Sequence, residues 1–204
     1  VLNLGGISNL TVLHADGSVT GFDIGPANGL LDAWCALQTG APFDRDGALA
    51  ARGQVDRALL VRLLDEDYFR AVPPKSTGRE QFHLDWLRSR LGGASRKPED
   101  VQATLIELTA RSVADAVQTF AADARELLVC GGGTHNPTLM RALQGALAPL
   151  PVRSTAECGV DPDYVEATAF AWLAHERLAG RPGNLPGVTG AIGLRLLGGI
   201  YGGS

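Results

Sequence analysis

The first 28 residues hold three short apolar runs separated by glycine-marked bends, and this pattern constrains the fold more than any other stretch. Residues 1–4 read as a strand that breaks at Gly5-Gly6. Residues 10–14 read as a second strand, and Asp16-Gly17 has the chemistry of a tight hairpin turn. Residues 19–22 read as a third strand, which delivers Asp23 into the bend Ile24-Gly25-Pro26-Ala27-Asn28. Polar bends held at strand ends are where a sheet presents chemistry, and glycine admits a close backbone approach there. From its neighbours alone, Asp23 is either a functional carboxylate, a cap for the helix that follows, or an acceptor of turn amides.

Downstream the pattern changes period. Leu30, Leu31, Trp34 and Leu37 predict a helix, with Asn28 as its cap and Gly40 and Pro42 as its end. Asp44-Arg45-Asp46-Gly47 hints at a calcium loop, but position 12 of such a loop is Val55 instead of Glu. Residues 55–69 predict one helix with Leu59, Leu60, Leu63 and Leu64 inward, stopped by Pro73-Pro74. Lys75-Ser76-Thr77-Gly78-Arg79-Glu80 has the composition of a phosphate contact without P-loop spacing, and Thr77 with Glu80 equally fits a capping box. Phe82, Trp86, Leu87 and Leu91 predict a short helix, and residues 92–95 a surface linker. Pro98 opens a long helix whose apolar face is broad enough for contact on two sides.

Residues 126–130 predict a strand that runs into Gly131-Gly132-Gly133-Thr134-His135-Asn136-Pro137, then a helix with Leu139, Met140 and Leu143 inward. That order suits a nucleotide, because a helix N-terminus favours anionic groups, but a plain tight turn explains it equally. The Rossmann spacing is absent. Residues 151–154 predict an edge strand. Asp161-Pro162-Asp163 predicts the opening of a helix carrying Glu166, and residues 184–191 a coil, with one helical turn at 194–197. The three-strand start followed by helices and single strands predicts an α/β chain, a mixed sheet flanked by helices.

The net charge of −4 gives no reason to expect nucleic acid or an acidic membrane as partner. Cys35, Cys130 and Cys158 show neither metal spacing nor a disulfide framework, which suits a reducing cytoplasm. No stretch reads as a signal peptide or a membrane span. The chain starts with Val1 inside a strand and is read as a piece of a longer protein.

These segments resemble the anhydro-N-acetylmuramic acid kinase family, bacterial sugar kinases of the actin/hexokinase/Hsp70-like superfamily. The resemblance rests on Asn3-Leu4-Gly5-Gly6-Ile7-Ser8-Asn9, Gly21-Phe22-Asp23-Ile24-Gly25-Pro26-Ala27-Asn28 and Asp44-Arg45-Asp46-Gly47. It also rests on Pro73-Pro74-Lys75-Ser76-Thr77-Gly78-Arg79-Glu80, the triple-glycine segment through Asn136-Pro137, Asp163 to Trp172, and residues 184–191. Ile24 and Ala27 depart from the family's Asp-Thr-Gly-Pro-Gly-Asn. The resemblance is to a C-terminal portion only. It implies one lobe of the actin-like ATPase (ribonuclease H-like) fold, with residues 1–204 as the C-terminal nucleotide-binding lobe and the N-terminal lobe absent.

The resemblance further implies that Asp23 is the catalytic base and touches the substrate. Gly5, Gly6, Asn9, Gly131, Gly132, Gly133 and Asn136 would hold ATP, with Mg2+ as cofactor and no residue assigned as its ligand. Glu166 would reach the sugar. The implied reaction opens 1,6-anhydro-N-acetylmuramic acid with water and phosphorylates it to N-acetylmuramic acid 6-phosphate and ADP, in cytoplasmic peptidoglycan recycling. The implied partners are sugar and ATP, with a homodimer in the intact protein. The chain by itself, offering one wall of a cleft, is expected to be inactive. Rival readings are a remnant that only binds nucleotide and a sugar kinase of other specificity; an acyl-transfer hydrolase lacks its Gly-x-Ser-x-Gly elbow.

Overall fold

The structure is a computed structural model that describes residues 1–93 and 95–202. The linker expected at 92–95 therefore lies partly outside the described residues, at Ala94. Five strands form one mixed sheet flanked by helices, as expected. β1 (Leu2–Leu4), β2 (Ile7–Leu13) and β3 (Val19–Pro26) form an antiparallel meander, and β4 (Leu127–Cys130) and β5 (Val152–Ser154) add in parallel beside β1. The spatial order is β3-β2-β1-β4-β5. Because β1, β3 and β4 run the same way, Gly5-Gly6, Gly25-Pro26 and Gly131–Gly133 all emerge at one end of the sheet.

Alternation decides which face is covered. Leu2, Leu4, Leu10, Val12, Phe22 and Ile24 turn inward and join the core. Asn3, Asn9, Thr11, Gly21 and Asp23 occupy the alternate positions and are half-buried. Helix α1 (Asn28–Thr39) packs Leu30, Leu31 and Trp34 into the core, and the Trp34 indole donates to the Pro98 carbonyl at 2.9 Å. The central helix α5 (Pro98–Phe120) buries thirteen of its 23 residues against α1, the sheet and neighbouring helices, which answers the breadth of its apolar face. It opens with Pro98 and carries Glu99 and Asp100 in its first turn, where carboxylates favour the helix dipole. Helix α6 (Pro137–Leu147) places Leu139, Leu143 and Leu147 inward.

Several boundaries differ from the expectation. The third strand does not stop at residue 22; it runs to Pro26 through a bulge where Ser8 pairs Gly25 and Asn9 pairs Asp23, leaving Ile24 extra. The helix expected over 55–69 is two, α2 (Arg57–Leu64) and α3 (Asp67–Arg70). Glu66 between them turns its carboxylate to the Trp86 indole at 2.9 Å and to Arg90, and that contact outweighs helix continuity. The Thr77–Glu80 capping box does not form: α4 (Leu84–Leu91) begins later and is capped by His83 Nδ1. The helix α7 (Val165–Leu178) starts after residues 161–163 rather than at them. Residues 186–189, expected as coil, form a short helix α8 (Pro186–Thr189), and residues 194–197 form no helical turn. Gly21 explains α8: a Cβ there would stand 3.0 Å from the Val188 side chain, so the missing side chain lets α8 cover the edge strand β3.

Among the described residues, no helix is long and apolar enough to cross a membrane.

Candidate active site

Asp23 sits inside β3 and is gripped from one direction. Ser76 Oγ donates to its Oδ2 at 3.0 Å, and the Thr77 amide donates to the same oxygen at 3.0 Å. Its own amide donates to the Lys75 carbonyl at 3.3 Å, and the Tyr68 hydroxyl donates to its carbonyl at 2.8 Å. Asp23 is thus no helix cap: the residue before α1 is Ala27, with no side-chain cap. Asn28, expected as that cap, lies inside the helix and donates its amide nitrogen to the Leu4 carbonyl at 2.9 Å.

The strap over Asp23 is itself anchored. Lys75 Nζ donates to the Tyr68 carbonyl at 3.1 Å and lies 4.7 Å from the Tyr68 ring centre. Burial pushes the Lys75 ammonium below its ordinary range. Burial first, and the Asp23 charge second, push the Tyr68 phenol up, so it stays a donor. Asp23, Asn9, Thr11, Gly21, Lys75, Ser76 and α8 enclose a concavity of about 630 Å³.

A second concavity, about 460 Å³, lies beside it and shares Asn9 and Thr11. It gathers Gly5, Asn9, Gly131, Gly132 and Glu166 from the expected set, together with Asn3 and Asp163. The three glycines of the 131–133 run differ, and only Gly131 and Gly132 line this floor. Gly131 has φ +82°, and a Cβ would stand 2.4 Å from Asn3 Oδ1. At Gly133 a Cβ would stand 2.5 Å from Leu4 Cβ. At Gly132 a Cβ would meet only Asn28 Nδ2, at 3.8 Å, so its space is open. Gly132 and Gly133 begin a short 3-10 turn, whose first amides have no partner one turn back. The Gly131 amide donates to the Pro162 carbonyl at 2.9 Å, and His135 pairs with Asp163 at 2.9 Å, so the floor is tied to the wall that carries Glu166.

The structure does not bring Gly6, Gly133 or Asn136 into either concavity. The Gly6 carbonyl accepts the Ala27 and Gly29 amides, and a Cβ at Gly6 would stand 3.2 Å from the Arg79 guanidinium. Gly133 is buried against Leu4. The Asn136 side chain caps α6 by accepting the Thr138 and Leu139 amides. Asp44 is also structural: its two oxygens accept the Leu49 and Ala50 amides at 2.7 and 3.0 Å, and the loop it folds sets Gly47 against Asn136 and Thr138. Half-burial raises the Asp32 carboxyl on α1, a rise opposed by nearby Arg79.

Asn3, Thr11, Tyr68 and the partners of Ser76 and Thr77 join the expected set. Alternation along β2 held the signal for Thr11, two residues beyond Asn9 on the same face. The Ser76 and Thr77 contacts span more than 50 residues and leave no local trace.

The family model described as anhydro-N-acetylmuramic acid kinase matches residues 1–203. A protein of that name from Xanthomonas campestris is 60% identical over 98% of this chain and 53% of its own length. Those from Chromohalobacter salexigens and Paraburkholderia xenovorans are 57% and 54% identical, over 100% and 98% of this chain and 56% and 55% of theirs. The chain thus spans about half the length of the curated relatives it matches. A solved structure, the activator of the 2-hydroxyisocaproyl-CoA dehydratase from Clostridium difficile with bound ADPNP, aligns over 80% of this chain and 54% of its own at 16% identity, TM-score 0.48. The family match corrects the expectation of a resemblance confined to a C-terminal portion, because it extends over all but one of the 204 residues. The chain belongs to the anhydro-N-acetylmuramic acid kinase family.

Proposed function

We propose that this chain supplies the nucleotide-binding lobe and the general base for ATP-dependent phosphorylation of 1,6-anhydro-N-acetylmuramic acid. One observation carries the reading: two adjoining concavities, one holding Asp23 and one floored by Gly131 and Gly132, share Asn9 and Thr11 on one sheet face. A base and a phosphate cradle then stand on the same row of strands.

Each residue has a stated part. Asp23 Oδ1 takes a proton from water as the water oxygen bonds to the anomeric carbon. The bond from that carbon to the bridging 6-oxygen breaks. The freed 6-oxygen bonds to the γ-phosphorus of ATP, the bond to the β-phosphate oxygen breaks, and ADP leaves. The proton on Asp23 then passes to solvent. Gly5, Gly131 and Gly132 let the phosphates lie against backbone, where the amides that open the short 3-10 turn offer donors. Asn9 stands between both concavities and suits a phosphate contact. Gly6, Gly133 and Asn136 act at one remove, by fixing α1, β1 and α6 around the cradle. Glu166 lies with the glycines rather than with Asp23, so its contact with the sugar requires a substrate reaching across Asn9 and Thr11.

Magnesium, when bound with ATP, screens the phosphate charge. No group of three metal-ligating side chains converges among the described residues. Magnesium is held by one or two carboxylates plus the phosphates themselves, so Glu166 or Asp163 beside the glycines fits that need. The free cysteines fit a reducing cytoplasm.

Calorimetric titration with Mg-ATP tests the cradle. Gly132→Val projects a side chain into open space, so we expect a folded protein with at least tenfold weaker binding. Unchanged affinity in a folded Gly132→Val chain removes the nucleotide from this concavity.

A further inference from the structure

Outside the sheet ladder, and among the described residues, four hydrogen bonds hold Asp23, and all join it to one segment, residues 68–77. They use its amide, its carbonyl and one carboxylate oxygen. Both bonds to the carboxylate fall on Oδ2, and among the described residues Oδ1 has no protein partner. A carboxylate held by one oxygen has its other oxygen aimed, since rotation about the side chain breaks both bonds together.

We propose that Ser76 is a positioning residue: with the Thr77 amide it fixes the Oδ2 edge of Asp23 and so presents Oδ1 to the attacking water. This rests on Asp23 being the base. Ser76 is exposed at the rim of the 630 Å³ concavity and touches Asp23 through its hydroxyl, so its role is separable from packing. Thr77 contributes through its backbone, and its own hydroxyl is engaged elsewhere, donating to Gln81 Oε1 at 2.6 Å. A serine-to-alanine change therefore removes one of two holds and leaves the other. A misaimed base loses rate without losing substrate, because orientation acts on the reacting atoms and not on the binding contacts.

The test has two arms. In the 204-residue chain, hydrogen–deuterium exchange should find the Thr77 amide protected in the parent and exposed in Asp23→Ala; an unprotected parent amide overturns the grip itself. For kinetics, this chain replaces the matching 201 residues of the Xanthomonas campestris relative. Ser76→Ala should lower kcat about 10- to 100-fold, the worth of a hydrogen bond to a charged group, with KM for ATP unchanged. Ser76→Thr, which keeps the hydroxyl, should recover most of the rate. Ser76→Ala placed on Asp23→Asn should cost little more. A folded Ser76→Ala enzyme within about twofold of the parent, or an equal loss on the Asp23→Asn background, overturns the inference. A slow Asp23→Asn beside a fast Ser76→Ala sinks the positioning role alone, whereas a fast Asp23→Asn sinks the base reading beneath it.

Discussion

The two concavities on the open sheet face are built by opposite means. The one around Asp23 is braced by groups that reach in from afar: Tyr68 Oη, Ser76 Oγ and the Thr77 amide. The one around Gly131 is shaped by what is missing, with Gly131 and Gly133 leaving room for Asn3 and Leu4. A braced site fails when atoms are taken away, and a hollowed site fails when atoms are added. The contrast gives each region its own kind of damaging substitution.

The largest expected effect tests the braced site. Asp23→Asn keeps the shape and an oxygen acceptor but cannot take a proton as a carboxylate does. Turnover in the Xanthomonas chimera should fall about 10²- to 10⁴-fold with folding and ATP binding retained. A folded variant within threefold of the parent rate would show that subtraction does no harm there. Next comes addition to the hollowed site. Gly133→Val must displace Leu4, whose side chain is fully buried in the central strand, so we expect a loss of about 1–3 kcal/mol in urea unfolding. The neighbouring Gly132→Val should stay within about 0.5 kcal/mol of the parent, because its space is open. Equal stabilities for the two would end the claim that these glycines do different work.

Smaller effects sharpen the picture. Asn136→Ala removes the cap of α6 and should cost about 1 kcal/mol, with Mg-ATP affinity moved far less than by Gly132→Val. A matching loss of affinity would put Asn136 in contact with nucleotide. The smallest effect is at His135 and Asp163, both more than a third exposed. A double-mutant cycle should give a coupling of about 0.2–1 kcal/mol that shrinks in high salt. A salt-insensitive coupling would mean the pair is shielded from water.

What the sequence revealed follows the range of the forces involved. The three-strand start, the α1 face and the strand–glycine–helix order at 127–147 are local patterns of period and turn chemistry, and each of these elements forms, although β2 begins at Ile7 rather than at residue 10 and β3 runs on to Pro26. The break between α2 and α3 was hidden because Glu66 answers to Trp86 and Arg90, twenty and more residues away. The late start of α7 was hidden because the Pro162 carbonyl serves the Gly131 amide. For the site, the glycines and Asp23 stood out as residue types, but their division of labour did not. Whether a glycine is open, like Gly132, or filled, like Gly133, depends on β1, which is more than 120 residues earlier in the chain.

That separation bears on how the molecule assembles. β1 is the middle strand of the sheet, antiparallel to β2 next in sequence and parallel to β4, with Leu2 opposite Val129. The meander that carries Asp23 closes over short loops and can nucleate early. The β1–β4 pairing must wait for nearly two thirds of the chain and bears the closure entropy of that long loop. The β1–β4 contact is thus expected to form later in folding than the meander, and the glycine cradle exists only once it has formed.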